Sequence, residues 1–203
     1  MEKVLDTYEL EYNPKFPVVC MDESPKQIID YKEEVSQDGT LRQDSEYIRL
    51  GVAEIFVAFE PLAGHREMTV EDDHKSDTWV KFMANLMDTT YKYAEKVTWV
   101  MDNFCTHKLE NFYKIYPPEQ AKAYLDRMEI VYTPVHGSWL NMAEIQFSVL
   151  TRQELDRPFA SKQEVKEVVE KWKNKQNEEK KGVNWQFKTP NARIKLKKLY
   201  PTI

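Results

Sequence analysis

Three acidic side chains stand at positions where they could act together in phosphoryl transfer. Asp22 and Asp102 each end an apolar run typical of a buried strand, and Glu144 lies in a stretch predicted to be helical. If the two strands are neighbours that end level, their aspartates meet. Clustered carboxylates repel one another unless protons or cations offset the charge. Mg²⁺ prefers oxygen ligands, and two such ions about 3.5–4 Å apart can activate a nucleophile and stabilise a leaving oxygen.

The spacing of these acids alone does not decide between catalysis and an ordinary structural role. The chain contains 34 acidic residues, so it offers many triplets of this kind. An aspartate at the end of a strand is also a common turn former. Both interpretations stay open until the surrounding residues are considered.

The elements that must position the acids follow from the apolar pattern. Five strands are predicted, at 17–22, 46–60, 65–70, 97–102 and 129–133. Helices are predicted at 75–93, from 117, at 138–155 with Ser138 as cap, and from 161 with a capping box at Ser161–Glu164. The polar segment from 24 to about 44 is predicted to be a loop with a short helix or strand. The resulting order β, β, β, α, β, α, β, α, α predicts an α/β fold, a mixed five-stranded sheet flanked by helices.

The composition indicates a globular protein that needs no disulfide framework. A chain of 203 residues with 41% hydrophobic content can bury a core without structural metal or cross-links. The longest apolar run, Ile55–Phe59, is far short of the roughly 20 residues that a membrane helix requires. The first twenty residues carry no apolar block, and there are two cysteines. These features predict a cytoplasmic protein without a membrane partner.

Charge is distributed unevenly along the chain. Residues 162–203 hold 12 basic and 5 acidic residues, a balance of +7, so the net charge of −5 leaves −12 for residues 1–161. One interpretation is that a metal site concentrates carboxylates in the body while the tail touches phosphates. The other is that the tail is a solvated helix of mixed charge.

The sequence segments around the three acids favour catalysis over a structural role. The segments Met101–His107 and Tyr132–Glu144 resemble the catalytic blocks of DDE transposases, in the bacterial insertion-sequence branch of the mariner-like superfamily (DDE superfamily endonucleases). The resemblance runs from about residue 17 to residue 201. Further matching segments lie at 19–23, 59–64, 184–187 and 193–196.

The resemblance implies an RNase H-like fold in which Asp22, Asp102 and Glu144 are catalytic and hold two Mg²⁺ ions, with Mn²⁺ able to substitute. It implies a catalytic core at 1–160 and a basic helical extension at 161–203 packed on that core. The implied reaction is hydrolysis of a phosphodiester at the transposon end, followed by attack of the freed 3′-hydroxyl on target DNA. In both steps the metals do most of the electrostatic work.

Four polar residues of the matched blocks are candidates for contacting DNA or for supporting the acids: Asn103, His107, His136 and Asn141. Asn141 precedes Glu144 by three residues, so on a helix the two share a face. It either orients a metal-bound water or a DNA phosphate, or satisfies backbone groups at the helix start. His107 and His136 either touch the scissile phosphate or are ordinary loop histidines. Glu23 points away from its neighbouring aspartate on a strand and is expected to have a supporting or structural role.

The densest basic cluster lies near the C-terminus, and contact with DNA phosphates is predicted for it. Such contacts position a protein on DNA without reading its sequence. The residues concerned are Arg193, Lys195, Lys197 and Lys198.

The expected partners are the DNA of transposon ends and target sites, with association to the bacterial nucleoid when bound. Related transposases carry helix-turn-helix modules before the first catalytic strand, whereas only about sixteen residues precede that strand here. A separately encoded helix-turn-helix half is therefore a candidate partner, and a homodimer is a candidate assembly. One alternative is an inactive or truncated remnant that binds only DNA or a partner. Another is a general nuclease for RNA–DNA hybrids or junctions.

Overall fold

A mixed five-stranded sheet forms the centre of the structure, a computed structural model that describes residues 1–35 and 41–200. The strand order is β3-β2-β1-β4-β5. β2 pairs antiparallel with β1 and β3, and β4 pairs parallel with β1 and β5. The predicted mixed α/β sheet is thus confirmed. The strands are β1 (Val18–Val35), β2 (Leu41–Glu60), β3 (His65–Glu71), β4 (Val97–Met101) and β5 (Met128–Tyr132).

Helices cover both faces of the sheet. One face is packed by α2, α3 and α4, and the opposite face by α1, α5, α6 and α7. None of the helices in the described parts of the chain combines the length and the apolar character that crossing a bilayer requires. The helices are α1 (Glu2–Tyr8), α2 (Ser76–Asp88), α3 (Phe112–Ile115), α4 (Pro118–Leu125), α5 (Ala143–Leu150), α6 (Lys162–Glu178) and α7 (Thr189–Lys195).

The first strand is apolar at successive positions because both of its faces are covered. Val18 and Cys20 belong to the core on the α5 and α6 side, whereas Val19 and Met21 belong to the core on the α2 side. Side chains alternate between the two faces of a strand. Buried central strands therefore read as continuous apolar runs, as this one does before Asp22.

The prediction of a loop from 24 to about 44 is wrong for the described residues of that segment. β1 continues to Val35 and pairs along its length with β2, for example Lys26 with Ala53. Of residues 24–30 only Ile28 is buried, and the others are half-buried or exposed. A strand without a buried face needs no polar–apolar alternation, so this segment carries no strand pattern. Residues 36–40 lie outside the described residues.

Two predicted helix boundaries also need correction. The helix predicted at 75–93 ends at Asp88, because Thr89 leaves the helical region with φ −112° and ψ −86°. Ser138 does not cap a long helix; it opens a short 3₁₀ turn, and α5 begins only at Ala143. The predicted cap at Ser161 is confirmed, since its side chain accepts a hydrogen bond from the backbone N–H of Glu164 at 3.2 Å.

The helix α6 covers the edge strand β3 and shares the core beneath it. The Asn177 side chain accepts a hydrogen bond from the backbone N–H of Arg66 at 2.9 Å and donates one to its carbonyl at 2.8 Å. The fully buried Arg66 guanidinium lies 5.1 Å from the ring centre of Phe59 and 5.7 Å from that of Trp172. Residues beyond 160 thus complete the same hydrophobic core as the sheet.

Candidate active site

Parallel pairing of two central strands places the two predicted aspartates at one end of the sheet. Cys20 of β1 pairs with Val100 of β4, and each aspartate follows its paired residue by two positions. Asp22 and Asp102 are therefore level with one another on adjacent strands. Parallel strands carry their carboxyl ends to the same edge, which makes this convergence a consequence of the topology.

The third acid reaches the same edge through the start of a helix. Glu144 is in the first turn of α5, and its backbone N–H donates to the carbonyl of Asn141 at 3.1 Å. The buried Asn141 side chain donates to the Met21 carbonyl at 2.9 Å and to Asp22 Oδ2 at 3.2 Å. Asn141 thereby ties the end of β1 to the start of α5. We refer to Asp22, Asp102 and Glu144 as the carboxylate trio.

Asn141 occupies a different position from the one predicted. It lies before α5 in an extended conformation, with φ −81° and ψ 113°, and does not share a helical face with Glu144. Its Oδ1 accepts the backbone N–H of Ala143 at 3.1 Å. Of the two roles considered, satisfying backbone groups at the helix start matches these contacts.

The electrostatics of Asp22 indicate that the trio is close enough to interact. Burial raises the pKa of Asp22 to about 7, and the charges of Glu23, Asp102 and Glu144 act in the same direction. The backbone N–H of Glu23, which donates to Asp22 Oδ1 at 2.9 Å, opposes this rise in pKa. Like charges at one site favour the neutral form of one member unless a cation is bound.

Asp102 is held by the loop that follows β4. Its Oδ1 accepts a hydrogen bond from the backbone N–H of Phe104 at 3.1 Å and lies 2.7 Å from His107 Nδ1. The hydrogen bond from His107 lowers the pKa of Asp102, although partial burial opposes this effect. The anionic form of Asp102 is therefore favoured, whereas that of Asp22 is disfavoured.

His107 is buried, so its ring is not presented to a phosphate. Its second nitrogen, Nε2, lies 3.0 Å from Glu23 Oε2, and its side chain is 1% exposed. Burial alone would lower the pKa of His107, but the hydrogen bonds to Asp102 and Glu23 outweigh it and raise the pKa to about 9. The imidazole is thus protonated at neutral pH and donates to a carboxylate on each side.

The donor set of the trio fits a hard divalent cation by its chemistry. All three side chains offer carboxylate oxygens, which Mg²⁺ and Mn²⁺ accept. Burial is the main cause of the raised pKa of Asp22, and the charges of Asp102 and Glu144 add to it, so a bound cation would favour the charged form that coordinates metal. Within residues 1–35 and 41–200, however, no three His, Cys, Asp or Glu side chains are already gathered at metal-binding distance.

A groove of about 550 Å³ lies beside Asp102, between the loops that follow β4 and β5. Asn103 and His136 both line it, and both are exposed. Asn103 Oδ1 accepts a hydrogen bond from Lys108 Nζ at 3.1 Å. His136 has a positive φ of 61°, in the turn that ends at Gly137. The structure therefore brings these two predicted residues to the Asp102 side of the site.

The predicted basic residues lie on α7 and the turn after it. Arg193 is engaged by α1, since its Nε and Nη2 donate to the two carboxylate oxygens of Glu2 at 2.7 and 2.9 Å. The lysines are exposed. Arg193, Lys195, Lys197 and Lys198 together are called the basic tail below.

The Glu23–His107 contact is the main feature that the sequence alone did not reveal. The two residues are 84 positions apart, so no local spacing links them. The strand alternation did place Glu23 on the face opposite Asp22, where His107 lies. That alternation is the one signal in the sequence that pointed toward the contact.

The mixed sheet with acids ending two adjacent parallel strands is an RNase H-like arrangement. The fold is similar to that of the Mos1 mariner paired-end complex with Mn, with a TM-score of 0.56, 14% identity, and coverage of 89% of this chain and 56% of Mos1. The pre-cleavage Mos1 transpososome has a TM-score of 0.56 and 14% identity, and the match covers 91% of this chain and 61% of that one. The Mos1 strand transfer complex has a TM-score of 0.53 and 13% identity, with coverage of 92% of this chain and 62% of that one. This chain thus spans little more than half the length of Mos1.

The family assignment follows from the sequence match. The family model for DDE superfamily endonucleases matches residues 17–166, which include all three acids of the trio. The chain belongs to this family, as its resemblance predicted. No curated protein sequence matches it.

Proposed function

We propose that this chain is the catalytic domain of a DDE transposase, which cleaves DNA at transposon ends and joins the freed 3′-hydroxyl to target DNA in a Mg²⁺-dependent reaction. The observation that supports this most directly is the convergence of Asp22, Asp102 and Glu144, whose charges interact at one end of the sheet. Membership of the endonuclease family supports the hydrolytic step. The strand transfer complex of Mos1, which has the same fold, supports the joining step.

The carboxylate trio would hold two Mg²⁺ ions, or Mn²⁺ in their place, and Mos1 complexes were solved with Mn and with Mg. When bound, the ions would activate the attacking oxygen and stabilise the leaving oxygen of the phosphodiester.

The residues of the chain itself would position the acids and the DNA. Asn141 fixes the start of α5 against the end of β1, which keeps Glu144 near Asp22. The groove beside Asp102, with Asn103 and His136 in its walls, would admit a DNA strand next to the acids. The exposed lysines of the basic tail would contact phosphates, which adds affinity without sequence preference.

The partners belong to the same proposal. The Mos1 structures are complexes with transposon ends, which supports DNA as the substrate here. We propose residues 1–160 as the catalytic core and 161–203 as an extension that packs on it. A homodimer and a helix-turn-helix half encoded elsewhere would supply synapsis and recognition of the ends.

The test is nicking of a supercoiled plasmid by the purified chain in Mg²⁺ and in Mn²⁺, with a 3′-hydroxyl oligonucleotide added to detect joining. Asp102→Asn and Glu144→Gln should abolish both products. The matched control is Asp126→Asn, which alters an exposed carboxylate paired with Lys122 on α4. Equal nicking by the wild type and both site variants would contradict the proposal. A folded wild-type chain that binds DNA but neither nicks it nor binds metal would favour the non-catalytic alternative.

A further inference from the structure

The imidazole of His107 is enclosed between two carboxylates and two aromatic rings. Its Nδ1 lies 2.7 Å from Asp102 Oδ1, and its Nε2 lies 3.0 Å from Glu23 Oε2. The ring centre is 5.4 Å from that of Trp79 and 6.2 Å from that of Phe104. The imidazole is 1% exposed, and hydrogen bonds on both of its nitrogens hold its orientation between the two carboxylates.

Glu23 contacts this site from the opposite side of the sheet to Asp22. It follows Asp22 directly on β1, so its side chain lies on the face covered by α2, where His107 is packed. Its side chain is 12% exposed and bonds to the imidazole, whereas its backbone N–H donates to Asp22 Oδ1. A buried carboxylate is retained at low cost only when it is paired, and here the pairing serves one predicted catalytic residue.

The contacts on Asp102 are unequal between its two oxygens. Oδ1 accepts from His107 and from the backbone N–H of Phe104, whereas no donor from the described residues pairs with Oδ2. Two donors on one oxygen fix the rotation of the carboxylate and leave the other oxygen for an external ligand. Metal-binding groups are commonly oriented in this way by residues behind them.

We propose that Glu23 is a positioning residue that acts through His107 to hold the Asp102 carboxylate in one orientation for a divalent cation. This inference rests on the proposed function and adds a residue to it. Glu23 fixes the imidazole, and the imidazole fixes Asp102. Glu23 itself is not a ligand in this arrangement.

The test is calorimetric titration of the full chain with Mn²⁺, without DNA. Glu23→Gln should weaken Mn²⁺ binding about tenfold, the lower end of the range for residues that orient metal ligands. His107→Phe, which keeps an aromatic ring beside Trp79, should weaken binding by at least as much. The double variant should bind Mn²⁺ no more weakly than His107→Phe, because the Glu23 side chain acts through the histidine and its backbone N–H to Asp22 is kept in every variant. A further loss in the double variant would mean that the Glu23 side chain acts on the cation site without the histidine, and would overturn the inference.

A second substitution covers the case in which His107→Phe does not fold. His107→Asn keeps an N–H donor near Asp102 but is too short to reach Glu23, so it should match Glu23→Gln. The control is Glu60→Gln, a buried glutamate on β2 three residues beyond Val57, the partner of Asp22. It should leave Mn²⁺ affinity unchanged.

Two further readouts separate positioning from a structural role and from failure of the proposed function. Raising Mn²⁺ should restore plasmid nicking in Glu23→Gln but not in Asp102→Asn. If Glu23→Gln lowers only the urea midpoint and leaves Mn²⁺ affinity intact, Glu23 is structural and the inference is wrong. If Asp102→Asn also leaves Mn²⁺ affinity intact, the proposed site itself is wrong.

Discussion

The carboxylate trio and the basic tail place charge in opposite ways. Backbone pairing of two buried strands and the Asn141 bridge position the trio, although burial and the charges of Asp102 and Glu144 disfavour the ionised form of Asp22. In the basic tail, Arg193 is neutralised by Glu2 of α1, and the lysines are exposed. Like charges that a rigid scaffold holds close together indicate a bound ligand, whereas charges that are paired or exposed to solvent do not. The trio is therefore the stronger functional signal.

The largest effect is expected from Asp102→Asn. Losing one anionic ligand should lower the nicking rate roughly 1,000-fold, equivalent to several kcal/mol of transition-state stabilisation. Initial rates on supercoiled plasmid, with protein matched by folded fraction, measure this. A residual rate within a factor of about ten of wild type would remove Asp102 from the catalytic group.

A large loss of stability is expected from Trp172→Ala, which tests how firmly the C-terminal region is joined to the sheet. Trp172 is buried in the core and covers Arg66, so truncation should lower the free energy of unfolding by about 3–5 kcal/mol. Lys171→Ala, at an exposed position of α6, is the control. Urea denaturation gives both values. A loss as small as that of the control would make residues 161–203 a peripheral appendage.

A smaller loss is expected from Asn141→Ala, which breaks the bridge between β1 and α5. Removing a buried amide with three hydrogen bonds should lower the free energy of unfolding by about 1–3 kcal/mol. The nicking rate of the folded protein should also fall, because Asn141 no longer holds Asp22 and Glu144 in place. Asn141→Asp should be worse still, since a negative oxygen would face Asp22. If the fully folded Asn141→Ala variant nicks DNA at the wild-type rate, Asn141 does not position the acids.

The basic tail should affect DNA affinity rather than catalysis. Replacing Lys195, Lys197 and Lys198 with Gln should reduce the slope of log affinity against log salt by up to about 3, roughly one for each phosphate that the tail no longer neutralises. Fluorescence anisotropy at several salt concentrations measures the slope. An unchanged slope would mean that the basic tail is a solvated helix that does not contact phosphates.

The smallest effect is expected from Arg193→Ala, because exposed ion pairs contribute little to stability. The hydrogen bond from Arg193 lowers the pKa of Glu2 from 4.5 to about 2. A depressed carboxyl pKa stabilises the fold above pH 4.5, and this contribution is lost as the pH falls toward 2. The small difference in thermal midpoint between variant and wild type should therefore vanish near pH 2. A difference that grows on acidification would contradict the pairing.

The sequence predicted the buried strands that carry the two aspartates. The runs before Asp22 and Asp102 identified buried strands, and their parallel pairing explains why both aspartates reach one edge. The continuation of β1 beyond Asp22 was missed because residues 24–30 are mainly polar and, apart from Ile28, half-buried or exposed. Side-chain partners were missed for a different reason: Glu23 and His107 meet only after the chain has folded around α2.

The most direct test of the account is a crystal of the chain soaked in Mn²⁺ and examined by anomalous scattering. We expect anomalous peaks between Asp22, Asp102 and Glu144, with carboxylate oxygens drawn to within about 2.2 Å of the ion. It also predicts that Asp102 Oδ1 remains bonded to His107 while Oδ2 meets the metal. Ordered Mn²⁺ elsewhere on the protein, with the three acids still apart, would contradict the central claim.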